Sequence, residues 1–266
     1  MASSKPIIVL FPGAFHSTNA FMLLKTAFEE KSYTCILPPN PPRLGKSDFT
    51  DVNLDTDVSF FRESVLLPLL NDGRELVLIL HSYAGVSVGG AVQGLTISER
   101  QMAGQKGGVC GLIGISAMTF PAGVSFQEFL QVTEEMLPWT TVDAEKNKIL
   151  VKNVELGVQH FYNQLPATEA QKWAAEIQSQ SLATFKTKAK YSPYTDEAWK
   201  GKLAYLLYEN DRTFSMQIQQ SFVQAGSFDI VESLPASHFP FLDMPERTAD
   251  VITKIIVAFG KERSSS

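Results

Sequence analysis

Cysteine is nearly absent from the chain: Cys35 and Cys110 are the only two in 266 residues. That is too few for a disulfide scaffold or a zinc cluster, and both sit in apolar runs that read as buried. Charge is also sparse, at 19% of residues, with 23 basic against 28 acidic side chains and a net charge of −5. A nucleic-acid-binding surface needs a concentrated basic face, and none is written here. The densest basic stretch, Lys186, Lys188 and Lys190, alternates along the chain as a solvated face does. Long hydrophobic runs are missing too. Ile7–Phe11 is too short for a membrane span or a signal-peptide core, so a soluble, cytoplasmic protein is the expectation.

What is present is an ordinary globular composition, 44% hydrophobic, in a chain long enough to bury a large core unaided. Short apolar runs alternate with helical patterns. The runs are Pro6–Phe11, Tyr33–Leu37, Glu75–Leu80, Val109–Met118, Lys202–Tyr208 and Phe228–Leu234. Their hydrophobicity is continuous rather than alternating, as parallel strands covered on both faces require. Between them, Ala20, Phe21, Leu23, Leu24, Ala27 and Phe28 recur at helical spacing, as do Val251, Ile252, Ile255, Ile256 and Phe259. The expected fold is therefore α/β, with about six mainly parallel strands flanked by helices.

One crossover is far longer than a single helix requires. Residues 119–201 carry Phe126, Phe129, Met136, Trp139, Phe161, Tyr162, Trp173 and Phe185, which excludes a disordered linker. Helices are expected over Ser125–Leu137, Asp143–Leu165 and Thr168–Ser181, the last opened by a Thr168-x-x-Gln171 capping pattern. An insertion after the carboxyl end of a parallel strand sits where such sheets bind ligands. Residues 119–201 are accordingly read as a cap on a core formed by residues 1–118 and 202–266.

The chemistry is concentrated in four loops. The strand Leu76–Leu80 runs through His81 into Ser82 and turns at once into the small-residue helix Ala84-Gly85-Val86-Ser87-Val88-Gly89-Gly90-Ala91. Such a turn presents a serine hydroxyl above a helix amino terminus; the alternative reading is a simple helix cap. A serine nucleophile needs a base. Among the four histidines, His81 reads as a packing residue, His16 as a loop-shaping one and His160 as part of the cap. His238, in Ala236-Ser237-His238-Phe239-Pro240-Phe241 after the last strand, is the preferred base. The imidazole in turn needs a carboxylate, and Asp211, just past the strand Leu203–Tyr208, is preferred over Glu209, Asp229 and Asp243. Backbone N–H groups of Ala14, after the first strand, and Tyr83, after the serine, are the candidate oxyanion donors.

The order Ser82…Asp211…His238, each on a loop at the carboxyl end of a strand, resembles the α/β-hydrolase superfamily over essentially the whole chain. More narrowly, the chain is similar to the small, lidded branch that includes plant methylesterases, hydroxynitrile lyases and fungal and bacterial homologues. The stretches Val9–His16, the turn around Ser82, Glu209–Arg212, Ser237–Leu242 and His160–Pro166 carry the likeness. The resemblance implies six parallel strands, a helical cap, and no metal or cofactor. It also implies a substrate pocket shaped by Phe15, His16, Phe161, Tyr162 and Phe239. Leu80 and Ala84 replace the two glycines of the usual Gly-x-Ser-x-Gly, and Leu80 is expected to alter the turn or narrow the pocket floor. Gly13 stands where the lyases carry threonine, and their lysine has no counterpart near His238, which favours hydrolysis. The expected function is cleavage of an ester or lactone of a fairly apolar small molecule by a monomer or homodimer. Lyase or cyclase chemistry with His238 as proton shuttle, and a ligand receptor on the same scaffold, are the alternatives.

Overall fold

The computed structural model describes residues 5–132 and 138–265. Six strands form one sheet: β1 (Ile7–Phe11), β2 (Cys35–Ile36), β3 (Glu75–His81), β4 (Gly108–Ile115), β8 (Leu203–Tyr208) and β9 (Ile230–Leu234). Their order is β2-β1-β3-β4-β8-β9, and every pairing is parallel. All six carboxyl ends therefore open on one edge, where the four candidate loops meet.

The central strands are buried on both faces, which explains their unbroken apolar sequences. Successive β3 side chains alternate between two cores. Val77 and Ile79 face a cluster with Leu24, Phe28, Ile252, Ile255 and Phe259 of the helices Met22–Glu30 and Pro245–Ser265. Leu76, Leu78 and Leu80 face the other, with Phe61, Leu66, Leu70, Val88 and Ala91. Leu80 is thus fully buried in this second core, and its bulk is core packing.

The stretch 119–201 departs from the helical expectation. The helices are short: Phe126–Leu130, Val154–Phe161, Ala167–Ala175 and Ala183–Lys186. Between them, β5 (Thr140–Asp143), β6 (Lys148–Val151) and β7 (Gln180–Ser181) form an antiparallel sheet of three strands. The helix expected over Asp143–Leu165 is broken by the turn ending at Asn147, whose φ of 48° reverses the chain into β6. The helix expected from Thr168 begins one residue earlier, after Pro166, without a side-chain cap, and stops at Ala175. Pro166 occupies the N-cap position, so Thr168 lies inside the helix and has no capping role. The end of the expected helix Ser125–Leu137, with Met136, lies outside the described residues.

Candidate active site

The β3 strand ends at His81, and Ser82 follows at φ 50°, in the left-handed region that a non-glycine residue occupies only under constraint. The constraint is visible. Ser82 N–H donates to Ile115 O at 3.3 Å, while Ser82 O accepts from Met118 N–H at 2.8 Å and Gly85 N–H at 3.0 Å. The helix Ala84–Ala91 lies so close to the exit of β4 that a Cβ on Gly85 would stand 2.4 Å from Met118 O. Small residues after Ser82 are thus a packing requirement of the turn.

His238 reaches the same edge from the loop after β9. Its Nδ1 is 2.7 Å from Asp211 Oδ2, and both side chains are buried. Asp211 is held by three further donors: Ser116 Oγ on Oδ2 at 2.6 Å, and the N–H groups of Thr213 and Phe214 on Oδ1 at 2.7 and 2.8 Å. The cap of the following helix is Ser215, so Asp211 is not spent on that role. Its rivals point elsewhere. Glu209 accepts from Ser233, Asp229 accepts from Gly201 and Leu203 N–H, and Asp243 accepts from Ser237 N–H.

The loop from Pro12 to His16 closes the site from β1. Gly13 is required there: a Cβ would stand 2.8 Å from Ser82 Cβ and 2.9 Å from His81 Nδ1. His81 does more than pack. Its Nδ1 accepts from Gly13 N–H at 3.2 Å, and its Nε2–H donates to His238 O at 2.9 Å, tying this loop to the His238 loop. Burial, reinforced by His238 and His16 nearby, holds His81 neutral, far below the usual imidazole range. His16 donates from Nδ1 to Ala14 O at 2.6 Å, and its Nε2 accepts from Tyr162 Oη at 2.6 Å. Burial lowers its pKa to about 3.

A cavity, partly open to solvent, lies over Ser82 and His238. Its wall is aromatic, with Phe15, Phe126, Trp139, Phe161, Phe185 and Phe214, and Met118 and Ile149 add to it. Among the described residues no titratable side chain apart from His238 lines it, and no cluster of three or more His, Cys, Asp or Glu side chains could hold a metal. Of the five expected pocket residues, Phe15 and Phe161 line the cavity. His16, Tyr162 and Phe239 are not among its lining residues: His16 bonds Tyr162 of the 119–201 stretch, and its ring lies 4.4 Å from that of Phe239 in the His238 loop. Trp139, Phe126 and Phe185 were legible only as large side chains of the long crossover, while Phe214 and Met118 carried no signal of their own.

The model of the alpha/beta hydrolase family matches residues 8–251. The chain belongs to that family. It is 25% identical over 256 residues to the alpha/beta hydrolase nvfD of Aspergillus novofumigatus, covering 93% of this chain and 95% of that protein. Its fold is that of a pyrethroid hydrolase from Sphingobium faniae JZ-2 (TM-score 0.71, 20% identity, 96% of this chain and 98% of that one). The same fold is found in the methylesterase MES16 from Arabidopsis (0.68, 17%, 95% and 99%). Tomato methylketone synthase I, solved with 2-tridecanone, shares it as well (0.75, 14%, 97% and 100%). Family membership supports hydrolytic chemistry in general, while a fold shared by esterases and a synthase leaves the reaction to be argued from the site. Among the described residues no helix is long and apolar enough to cross a membrane.

Proposed function

We propose that this protein is a serine hydrolase that cleaves an ester or lactone bond of a neutral, largely apolar small molecule. The observation that carries the reading is the buried 2.7 Å pair of His238 Nδ1 and Asp211 Oδ2, placed on the cavity that Ser82 also lines. Residues 119–201 serve as the cap that supplies most of the aromatic wall. The Ser82 hydroxyl attacks the carbonyl as His238 Nε2 takes its proton, and Asp211 holds the ring in the tautomer that leaves Nε2 free to do so. Negative charge gathers on the carbonyl oxygen, where the N–H groups of Ala14 and Tyr83 receive it. The intermediate collapses, the alcohol leaves with the proton from His238, and water activated by the same ring releases the acid and restores Ser82. The aromatic wall excludes bulk water and favours an uncharged substrate, because a buried unpaired charge is costly.

The test is labelling by a fluorophosphonate, with the adduct mapped by mass spectrometry. One phosphonyl group on Ser82, lost in Ser82→Ala and strongly slowed in His238→Ala, is expected. Folded protein that takes no label at Ser82 contradicts the reading and turns attention to lyase or cyclase chemistry with His238 as proton shuttle.

A further inference from the structure

Arg43 is fully buried in the loop after β2, outside every element from which the site was built. Its Nη2 donates to two consecutive carbonyls of the β1 loop, Pro12 O at 3.1 Å and Gly13 O at 2.7 Å. Its Nη1 lies 3.4 Å from Asp57 Oδ2, and its guanidinium lies 4.8 Å from the ring centroid of Tyr83. One side chain therefore touches both loops that carry the candidate oxyanion donors.

The peptide geometry gives this contact its meaning. A trans peptide points its C=O and N–H in opposite directions, and no cis bond occurs among the described residues. The Pro12–Gly13 peptide turns its oxygen to Arg43 and its N–H to His81 Nδ1. The Ala14–Phe15 peptide turns its oxygen to His16 Nδ1 and its N–H to Gln180 Oε1 at 3.0 Å. Between them, the Gly13–Ala14 peptide gives its oxygen to Arg43 at 2.7 Å. Its N–H, that of Ala14, is taken up by no protein acceptor among the described residues, and Ala14 lines the cavity. A charge-assisted bond at a peptide's carbonyl also polarises the same peptide and strengthens its N–H as a donor.

We propose that Arg43 is a positioning residue for the oxyanion site: by holding the Gly13 carbonyl from behind, it aims the Ala14 N–H at the charge that develops on the substrate. Resting on the hydrolase reading above, the proposal adds to the site a residue that never meets the substrate. Its effect belongs to the transition state, because the oxyanion is fully formed only there. Truncation therefore lowers kcat and leaves KM nearly unchanged.

The experiment compares wild type, Arg43→Met, Arg43→Lys and Arg100→Met with p-nitrophenyl butyrate as substrate. Arg100 is a second buried arginine that holds a backbone carbonyl, Lys106 O at 2.9 Å, near the opposite edge of the sheet. Active sites are counted by the end point of fluorophosphonate labelling, so unfolded protein does not enter kcat. Loss of a whole oxyanion donor lowers kcat by about 10²–10³, and a misaimed one by less, so Arg43→Met is expected to lose roughly 10- to 100-fold in kcat with KM within about threefold. Arg43→Lys, a point charge able to serve one carbonyl, falls between, and Arg100→Met keeps its kcat per site. An alkyl trifluoromethyl ketone, which forms a tetrahedral adduct on serine, is expected to weaken in step with kcat/KM. The matching trifluoromethyl carbinol, which fills the pocket without forming an oxyanion, is expected to bind Arg43→Lys as it binds wild type. Should Arg43→Met fail to fold, the same split between ketone and carbinol is read on Arg43→Lys. Arg43 variants with wild-type kcat per site and wild-type ketone selectivity, altered only in denaturation midpoint, overturn the proposal while the hydrolase reading stands. A wild-type protein that neither turns over nor labels overturns both.

Discussion

Replacing His16 by glutamine isolates one consequence of burial that the fold makes measurable. The ring is 5% exposed, donates to Ala14 O, accepts from Tyr162 Oη, and has its pKa lowered by burial to about 3 from the ordinary 6.5. A folded-state value below the unfolded one means that acid favours the unfolded chain, which binds a proton the folded protein refuses. His16 thus stabilises the fold fully above pH 6.5, and this contribution declines between pH 6.5 and about 3. Integrating the linkage from pH 7 to pH 5 gives a loss of about 2 kcal/mol from this ring alone. His81, also held neutral by burial, adds a loss in the same direction. Urea denaturation of wild type and His16→Gln at pH 7, 6 and 5, followed by tryptophan fluorescence, separates the two terms. Glutamine lowers stability at every pH through imperfect replacement of the two bonds, but that offset does not vary with pH. The wild type is expected to lose about 2 kcal/mol more than the variant between pH 7 and pH 5. Parallel curves would falsify the assignment of a buried neutral imidazole at this position.

Gly13→Ala drives a Cβ to within 2.8 Å of Ser82 Cβ and 2.9 Å of His81 Nδ1, so the β1 loop must move away from the serine. A displacement near 1 Å at a reacting centre lowers rate about 10²-fold, and steady-state kinetics should show that loss mainly in kcat. Ser116→Ala removes one of four hydrogen bonds on Asp211, the 2.6 Å bond to the oxygen that also meets His238. A loss of about 1 kcal/mol in positioning corresponds to roughly fivefold in kcat at unchanged KM. Esters whose acyl group carries a carboxylate should fall by at least about 10² in kcat/KM against their neutral isosteres, because among the described residues no cationic side chain lines the cavity. Comparable rates for the two would place the acyl group outside the aromatic wall.

The core was legible because its physics is one-dimensional. A strand covered on both faces must be apolar throughout, and Leu76–Leu80 says so without reference to any other segment. Even β2, reduced to Cys35–Ile36, lies within its expected run. The loops holding Ser82, Asp211 and His238 were legible through chain order, since parallel strands bring their carboxyl ends to one edge. The crossover was less so. Lys148–Val151 is only four residues long, and so short a stretch fits a helical and an extended period equally well until it pairs with Thr140–Asp143. The least legible residues were those that act across distance. His81 read as packing because its use depends on Gly13 and His238, far away in the chain. Arg43 carried no signal of its own, because nothing in the loop after β2 announces that its guanidinium is buried against the β1 loop.

Pre-steady-state acid quench with intact-protein and peptide mass spectrometry tests the central claim most directly. Wild-type protein is mixed with p-nitrophenyl butyrate and stopped within the first turnovers. A butyryl group on Ser82, appearing with the first equivalent of nitrophenol and decaying as acid is released, is the result this account predicts. Sustained turnover with Ser82 unmodified, and retained in Ser82→Ala, would contradict it.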